Sequence, residues 1–161
     1  MRPEPLACEG APVSAFTRSF VVRWSDVDAN GHMRNTAYSE LSSDTRIALF
    51  AAGGFAWERF EAMRLGPILL RESISYRQEA GLGEAIQVDV RVAGLSPEGG
   101  RWRLRHRLAN GRGEQMARVT VLGGFLDFAT RRLVVPPPEL ARVLASLERT
   151  GAFRELPPLR R

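Results

Sequence analysis

One long helical stripe followed by four alternating segments restricts the fold of this chain more than any other feature. Ala37, Tyr38, Leu41, Thr45, Ala48, Leu49 and Ala52 share one face at helical spacing, which predicts a helix over 36–52. Asn35 or Thr36 can cap its start, and Gly53-Gly54 is a fitting stop. A strand precedes the helix, with Phe20, Val22 and Trp24 on one face. After a connecting stretch carrying Trp57 and Phe60, strands are predicted at 68–78, 86–92, 101–108 and 117–128. In the first of these Ile68, Leu70, Ile74 and Tyr76 share a face, with Glu72 as the exception. The turns Pro97-Glu98-Gly99-Gly100 and Asn110-Gly111 join the later strands into hairpins. Leu140, Val143, Leu144 and Leu147 give a short terminal helix within 137–149.

One helix cannot cover both faces of five antiparallel strands, so the efficient packing is a curved sheet wrapped round that helix, an α+β fold. An uncovered sheet edge tends to find a partner, which predicts a homodimer, with a tetramer as the alternative. The expected organisation is an irregular leader over 1–15, one domain over 16–149, and a loose basic tail over 150–161 rich in proline and arginine.

Composition removes several function classes. At 161 residues, 44% hydrophobic and 25% charged, the chain reads as one ordinary globular domain. No apolar run approaches a membrane span, and Met1-Arg2-Pro3-Glu4-Pro5 lacks the apolar stretch of a signal peptide. The single Cys8 is compatible with a reducing cytoplasm, the expected location. The net charge of +5 comes from 23 basic residues, all arginine, and raises the question of nucleic acid. Yet Arg101, Arg103, Arg105 and Arg107 interleave with Trp102, Leu104, His106 and Leu108 as the wet face of a half-buried strand, so no nucleic-acid partner is expected. A phosphorylated substrate is the better use of the charge, since arginine grips phosphate bidentately. His32, His106 and Cys8 offer no metal-ligand spacing, and no phosphate-cradling glycine loop is present. His106, on an apolar face, reads as a core histidine.

Chemistry concentrates between the first strand and the helix. The run Trp24-Ser25-Asp26-Val27-Asp28-Ala29-Asn30-Gly31-His32-Met33-Arg34-Asn35-Thr36-Ala37-Tyr38 holds two carboxylates, two carboxamides and an imidazole, and it feeds a helix N-terminus. Unpaired backbone N–H groups there can stabilise a developing oxyanion, which acyl transfer at a carbonyl requires. Asp26 reads as a turn residue or as one that supports its reactive neighbours from behind.

That run, with the order of elements, resembles the hot-dog-fold acyl thioesterases. It looks like the 4-hydroxybenzoyl-CoA thioesterase family and the plant fatty acyl-carrier-protein thioesterases, over roughly residues 16–130. Tyr76-Arg77-Gln78-Glu79-Ala80-Gly81 is similar to the plant enzymes' Tyr-Arg-Arg-Glu-Cys-Gly. The resemblance implies a hot-dog fold and places Asp28, Asn30, His32 and Glu79 on proposed catalytic positions. Ala80 stands where the plant enzymes have cysteine, so a thiol-dependent mechanism is not open to this chain. Asp28 is the residue both branches nominate.

The implied activity is hydrolysis of an acyl-CoA or acyl-carrier-protein thioester, with Asp28 as nucleophile or general base. The N–H groups of Met33, Arg34 and Asn35 are the expected oxyanion donors, and Tyr38, Arg71 and Arg77 the expected substrate contacts. No cofactor is expected beyond coenzyme A as part of the substrate. The alternatives are a non-catalytic acyl-thioester-binding hot-dog protein and a hydroxyacyl-thioester dehydratase.

Overall fold

The computed structural model describes residues 15–159. Strand β1 (Phe16–Val21) leads through a one-turn 3-10 helix at Trp24–Asp26 into the long helix α1 (Asn35–Ala52). A short helix α2 (Trp57–Met63) follows, then β2 (Leu65–Tyr76), β3 (Ala85–Leu95), β4 (Arg101–Asn110) and β5 (Gln115–Asp127). The chain ends with β6 (Leu133–Val134), α3 (Pro138–Ala145) and β7 (Arg149–Glu155).

The strands form one seven-stranded sheet whose main path is β1-β3-β4-β5-β2, antiparallel throughout. β6 pairs with the far end of β5 beyond the start of β4. β7 runs parallel to β3 at Val92–Leu95, beyond the stretch that β1 occupies. The inner face presents Val88, Val90, Val92, Leu104, Leu108, Val119 and Val121, all essentially inaccessible, toward α1. From α1 come Ala37, Tyr38, Leu41, Leu49 and Phe50; Phe60 and Phe125 meet Phe50 edge-on, and Phe55 packs tilted against Phe60 to close that end. This is the α+β hot-dog arrangement, a sheet curved round a central helix.

Four local expectations are corrected. Trp24 leaves the strand, is 79% exposed, and starts the 3-10 turn, because Val22 already closes the β1 end by bonding the Gly83–Glu84 turn. The face expected for 68–78 breaks at Leu70, an extra residue between Leu69 and Arg71 in the register with β5. Such a bulge reverses the side-chain alternation on either side of it. The stretch 57–63 is helical, with Trp57 exposed and Phe60 buried. The expected loose tail 150–161 instead supplies most of β7. Its short apolar pattern gave little strand signal, but Leu156 is buried against Gly94. Cys8 and most of the expected 1–15 leader fall outside the described residues.

α1 also begins differently from expectation. The cap position is Arg34, with extended backbone and no capping side chain, so neither Asn35 nor Thr36 caps the helix. Along the opposite edge of the sheet, β2 has no strand beyond it among the described residues and exposes Leu69 and Leu70. No described helix is long and apolar enough to cross a membrane.

Candidate active site

Asp26 organises the approach to the helix. It is buried, its carboxylate accepts from the Arg23 backbone N–H (2.9 Å), Nε (3.0 Å) and Nη2 (3.0 Å), and its carbonyl accepts from the Arg34 N–H (2.7 Å). The Arg23 guanidinium holds its carboxyl below the usual aspartate range. Asp26 therefore braces the loop, as expected of a turn residue.

Residues 28–32 form a tight loop closed by Asp28 N–H to the His32 carbonyl (2.9 Å) and Gly31 N–H to the Asp28 carbonyl (3.0 Å). Gly31 has φ of 79°, the left-handed region where a side chain is disfavoured. Asp28 Oδ1 accepts from the Asn30 N–H (2.9 Å) and, more loosely, the His32 N–H (3.4 Å). One carboxylate oxygen is thereby held by main chain. Oδ2 has no protein donor among the described residues.

The connection between β2 and β3 completes the site. Met33 N–H donates to the Ala80 carbonyl (2.8 Å), and His32 and Gly81 form an antiparallel bridge. This stitching brings His32 Nε2 to 3.0 Å from Glu79 Oε2. Tyr38, buried under the helix start, meets Tyr76 edge-on at 5.2 Å between ring centres. Burial pushes both phenols above the usual tyrosine range, so they remain donors at neutral pH. Tyr76 Oη reaches toward the Asn35 carbonyl (3.4 Å).

Asp28, Asn30, His32, Met33, Asn35, Tyr38, Arg77 and Glu79 all line one cleft of about 380 Å³, together with Tyr76 and Gln78. Two parts of the expected site change. Met33 and Arg34 N–H groups are spent on the Ala80 and Asp26 carbonyls, so neither is an oxyanion donor. The uncapped start of α1 leaves Asn35 and Thr36 N–H groups without protein acceptors among the described residues, and Asn35 lines the cleft. Arg71, exposed on β2 opposite Leu122 of β5, lies outside the cleft walls. Tyr76 and Gln78 were not singled out as site residues. The signal was their place in the same motif as Glu79.

A second polar feature lies between α1 and the sheet. Arg46, 5% exposed, places Nη1 3.1 Å from Nε2 of the wholly buried His106 and donates from Nη2 to Ser43 Oγ (2.7 Å). His106 is the expected core histidine, but its Nδ1 has no partner among the described residues. Among the described residues no three His, Cys, Asp or Glu side chains group as metal ligands.

Comparison with known proteins follows the same lines. Among curated proteins, none matches the chain. Solved structures do: a hypothetical protein from Staphylococcus aureus in complex with CoA superposes with TM-score 0.79 at 21% identity, over 85% of each chain. A 1,4-dihydroxy-2-naphthoyl-CoA thioesterase from Synechocystis gives TM-score 0.74 at 13% identity, over 82% of this chain and 96% of that one. The probable thioesterase YbaW from Escherichia coli gives 0.69 at 18%, over 82% and 98%. At such identities the likeness carries the fold alone. The model of the thioesterase-like superfamily matches residues 22–144, most of the chain and the whole of the cleft, and to that superfamily the chain belongs.

Proposed function

We propose that the chain hydrolyses an acyl-CoA or acyl-carrier-protein thioester to the free acid and thiol at the cleft beside the start of α1. The observation that carries this reading is the convergence there of a carboxylate with one anchored and one free oxygen, an imidazole–carboxylate pair, and an uncapped helix N-terminus. The superfamily match and the CoA-bound structural relative support it.

The thioester oxygen sits against the Asn35 and Thr36 N–H groups, where developing negative charge meets the positive end of the helix. Asp28 Oδ2 then acts in one of two ways. As general base it takes a proton from water, whose oxygen bonds to the carbonyl carbon as the C–S bond breaks. As nucleophile it bonds to that carbon itself, expels the thiolate, and the resulting anhydride is hydrolysed by water. The leaving thiolate takes a proton, and His32, oriented by Glu79, is placed to give it. Asn30 orients the loop and the water, and Arg77 at the cleft wall meets substrate phosphates.

Asp28 is exposed in the single chain, and beside the cleft a groove lined by Ser39, Glu40, Glu72 and Ile74 runs between α1 and β2, which a second copy paired along the bare β2 edge would cover. A homodimer is therefore part of the proposal, and a monomer mass at micromolar concentration would remove it.

The test is thiol release from a panel of aromatic and aliphatic acyl-CoAs and acyl-carrier proteins. Stoichiometric free thiol supports hydrolysis. A dehydrated product with the thioester intact supports the dehydratase, and tight binding with no turnover supports the binding protein. A single turnover in ¹⁸O-water identifies Asp28 as the nucleophile when label enters its own carboxylate, which occurs where water opens the anhydride at the Asp28 carbon; attack at the acyl carbon labels the released acid, as the general-base route does.

A further inference from the structure

The outer face of the sheet carries an arrangement that the cleft chemistry does not use. β3 places Arg91 directly opposite Arg105 of β4, and β4 places Arg107 directly opposite Arg118 of β5. Like charges facing each other across strands destabilise a sheet, so two such pairs side by side call for a compensating anion. The carboxylates in reach are Asp89, whose Oδ1 accepts from the Arg107 N–H (3.1 Å) and whose Oδ2 is 3.7 Å from Arg91, and Glu148, 3.3 Å from Arg91. Four guanidinium groups thus face two carboxylates.

A cavity of about 200 Å³ opens among these arginines, walled on one side by Thr150 and Gly151 of β7. Seven buried side-chain polar atoms lack a partner among the described residues, and four of them surround this one cavity: Arg91 Nε, Arg105 Nε, Gln115 Nε2 and Thr150 Oγ1. Each can donate a hydrogen bond, and a buried donor left unmade is costly. Thr150 is itself 8% exposed. Four donors without acceptors, converging beside two like-charged pairs, describe an anion site built into the sheet. It shares no lining residue with the catalytic cleft.

We propose that this cavity binds a phosphate group, held by Arg91, Arg105, Gln115 and Thr150, with Arg107 and Arg118 supplying the surrounding charge. Asp89 sets the choice among oxyanions. Its carboxylate at the cavity wall repels a fully deprotonated anion but accepts a hydrogen bond from the P–OH of hydrogen phosphate, which sulfate at neutral pH cannot offer. The group can come as free phosphate or as a phosphate of a nucleotide-bearing ligand such as CoA.

The experiment is thermal unfolding of the full chain at constant ionic strength in chloride, sulfate and phosphate, with CoA as a separate arm. The expected result is a saturable rise in Tm with inorganic phosphate, smaller with sulfate and absent with chloride. Arg105→Gln should lose that rise and, by relieving the Arg91 pair, unfold at a higher temperature than the parent in phosphate-free buffer. Arg118→Gln serves as an independent second variant, which should lose the same rise. Weakened CoA protection in the variants assigns the phosphate to CoA; unchanged CoA protection assigns it to free phosphate. A Tm that follows ionic strength alone, or a phosphate response equal in the parent and both variants, overturns the site.

Discussion

Replacing His106 by leucine tests how the core tolerates a buried cation. Arg46 and His106 are almost inaccessible, 3.1 Å apart, and no carboxylate lies within ion-pair distance of Arg46 among the described residues. Burial pushes the Arg46 guanidinium down to about 10, so it stays charged at neutral pH. His106, pushed by burial and then by Arg46 down to about 3, stays neutral and accepts at Nε2. His106→Leu removes a hydrogen bond to a buried charge, worth about 3 kcal/mol, and regains about 1 kcal/mol by removing the orphan Nδ1 donor. The net loss is about 2 kcal/mol, a fall in Tm of roughly 4–8 °C for a domain of this size. Arg46→Met with His106→Leu leaves no buried charge and should lose less than the two single variants together, by about 1 kcal/mol or more. Urea and thermal unfolding of the four proteins measure this. Additive single effects would refute the idea that the two side chains depend on each other.

The same pair fixes a pH signature. Between about 6.5 and about 3 the unfolded chain binds a proton at His106 that the folded chain excludes. Stability from this group is therefore complete above the unfolded value and is lost as pH falls through that window, at up to about 1.4 kcal/mol per unit. His106→Leu should flatten the acid limb of the stability curve relative to the parent. Equal slopes in the two proteins would contradict a neutral buried histidine.

Other expectations rest on separate contacts. Gly123→Ala drives a methyl group into the Trp102 ring and the Ile68 carbonyl, and should cost about 2 kcal/mol or more in unfolding by urea. Truncation before Arg149 removes β7 and the Leu156 contact from the edge of β3, and should lower Tm by several degrees, whereas a loose tail would leave it unchanged. Asp26→Ala removes the acceptor of three Arg23 donors and leaves the loop unbraced. It should lower turnover and stability together, and a loss of turnover at parental stability would place Asp26 in the chemistry instead.

The parts of this fold legible from residue order are those where side-chain period and burial agree. The stripe from Ala37 to Leu49 is one, and the alternation of β3 and β4 is another. Arg46 defeated the pattern because a charged residue counts as a solvent position until a buried acceptor is known to face it. Leu70 defeated it because a bulge changes the parity of everything after it. β7 was hidden because its pairing with β3 is parallel and distant, and only Thr150 along it is buried. In the cleft, residue identities were readable from the motifs, but hydrogen-bond allegiance was not. That Met33 and Arg34 donate to Ala80 and Asp26, leaving the Asn35 and Thr36 N–H groups without protein acceptors among the described residues, follows from how two loops meet.

In the proposed reaction the second oxygen of Asp28 drives breakage of an acyl–sulfur bond at the start of α1. This role is tested most directly by kcat/KM for thiol release in the parent and Asp28→Asn, each shown folded by its unfolding curve. The variant should lose about 10²–10⁴-fold, the range of a positioned base. A folded Asp28→Asn protein that releases thiol at the parental rate would contradict it.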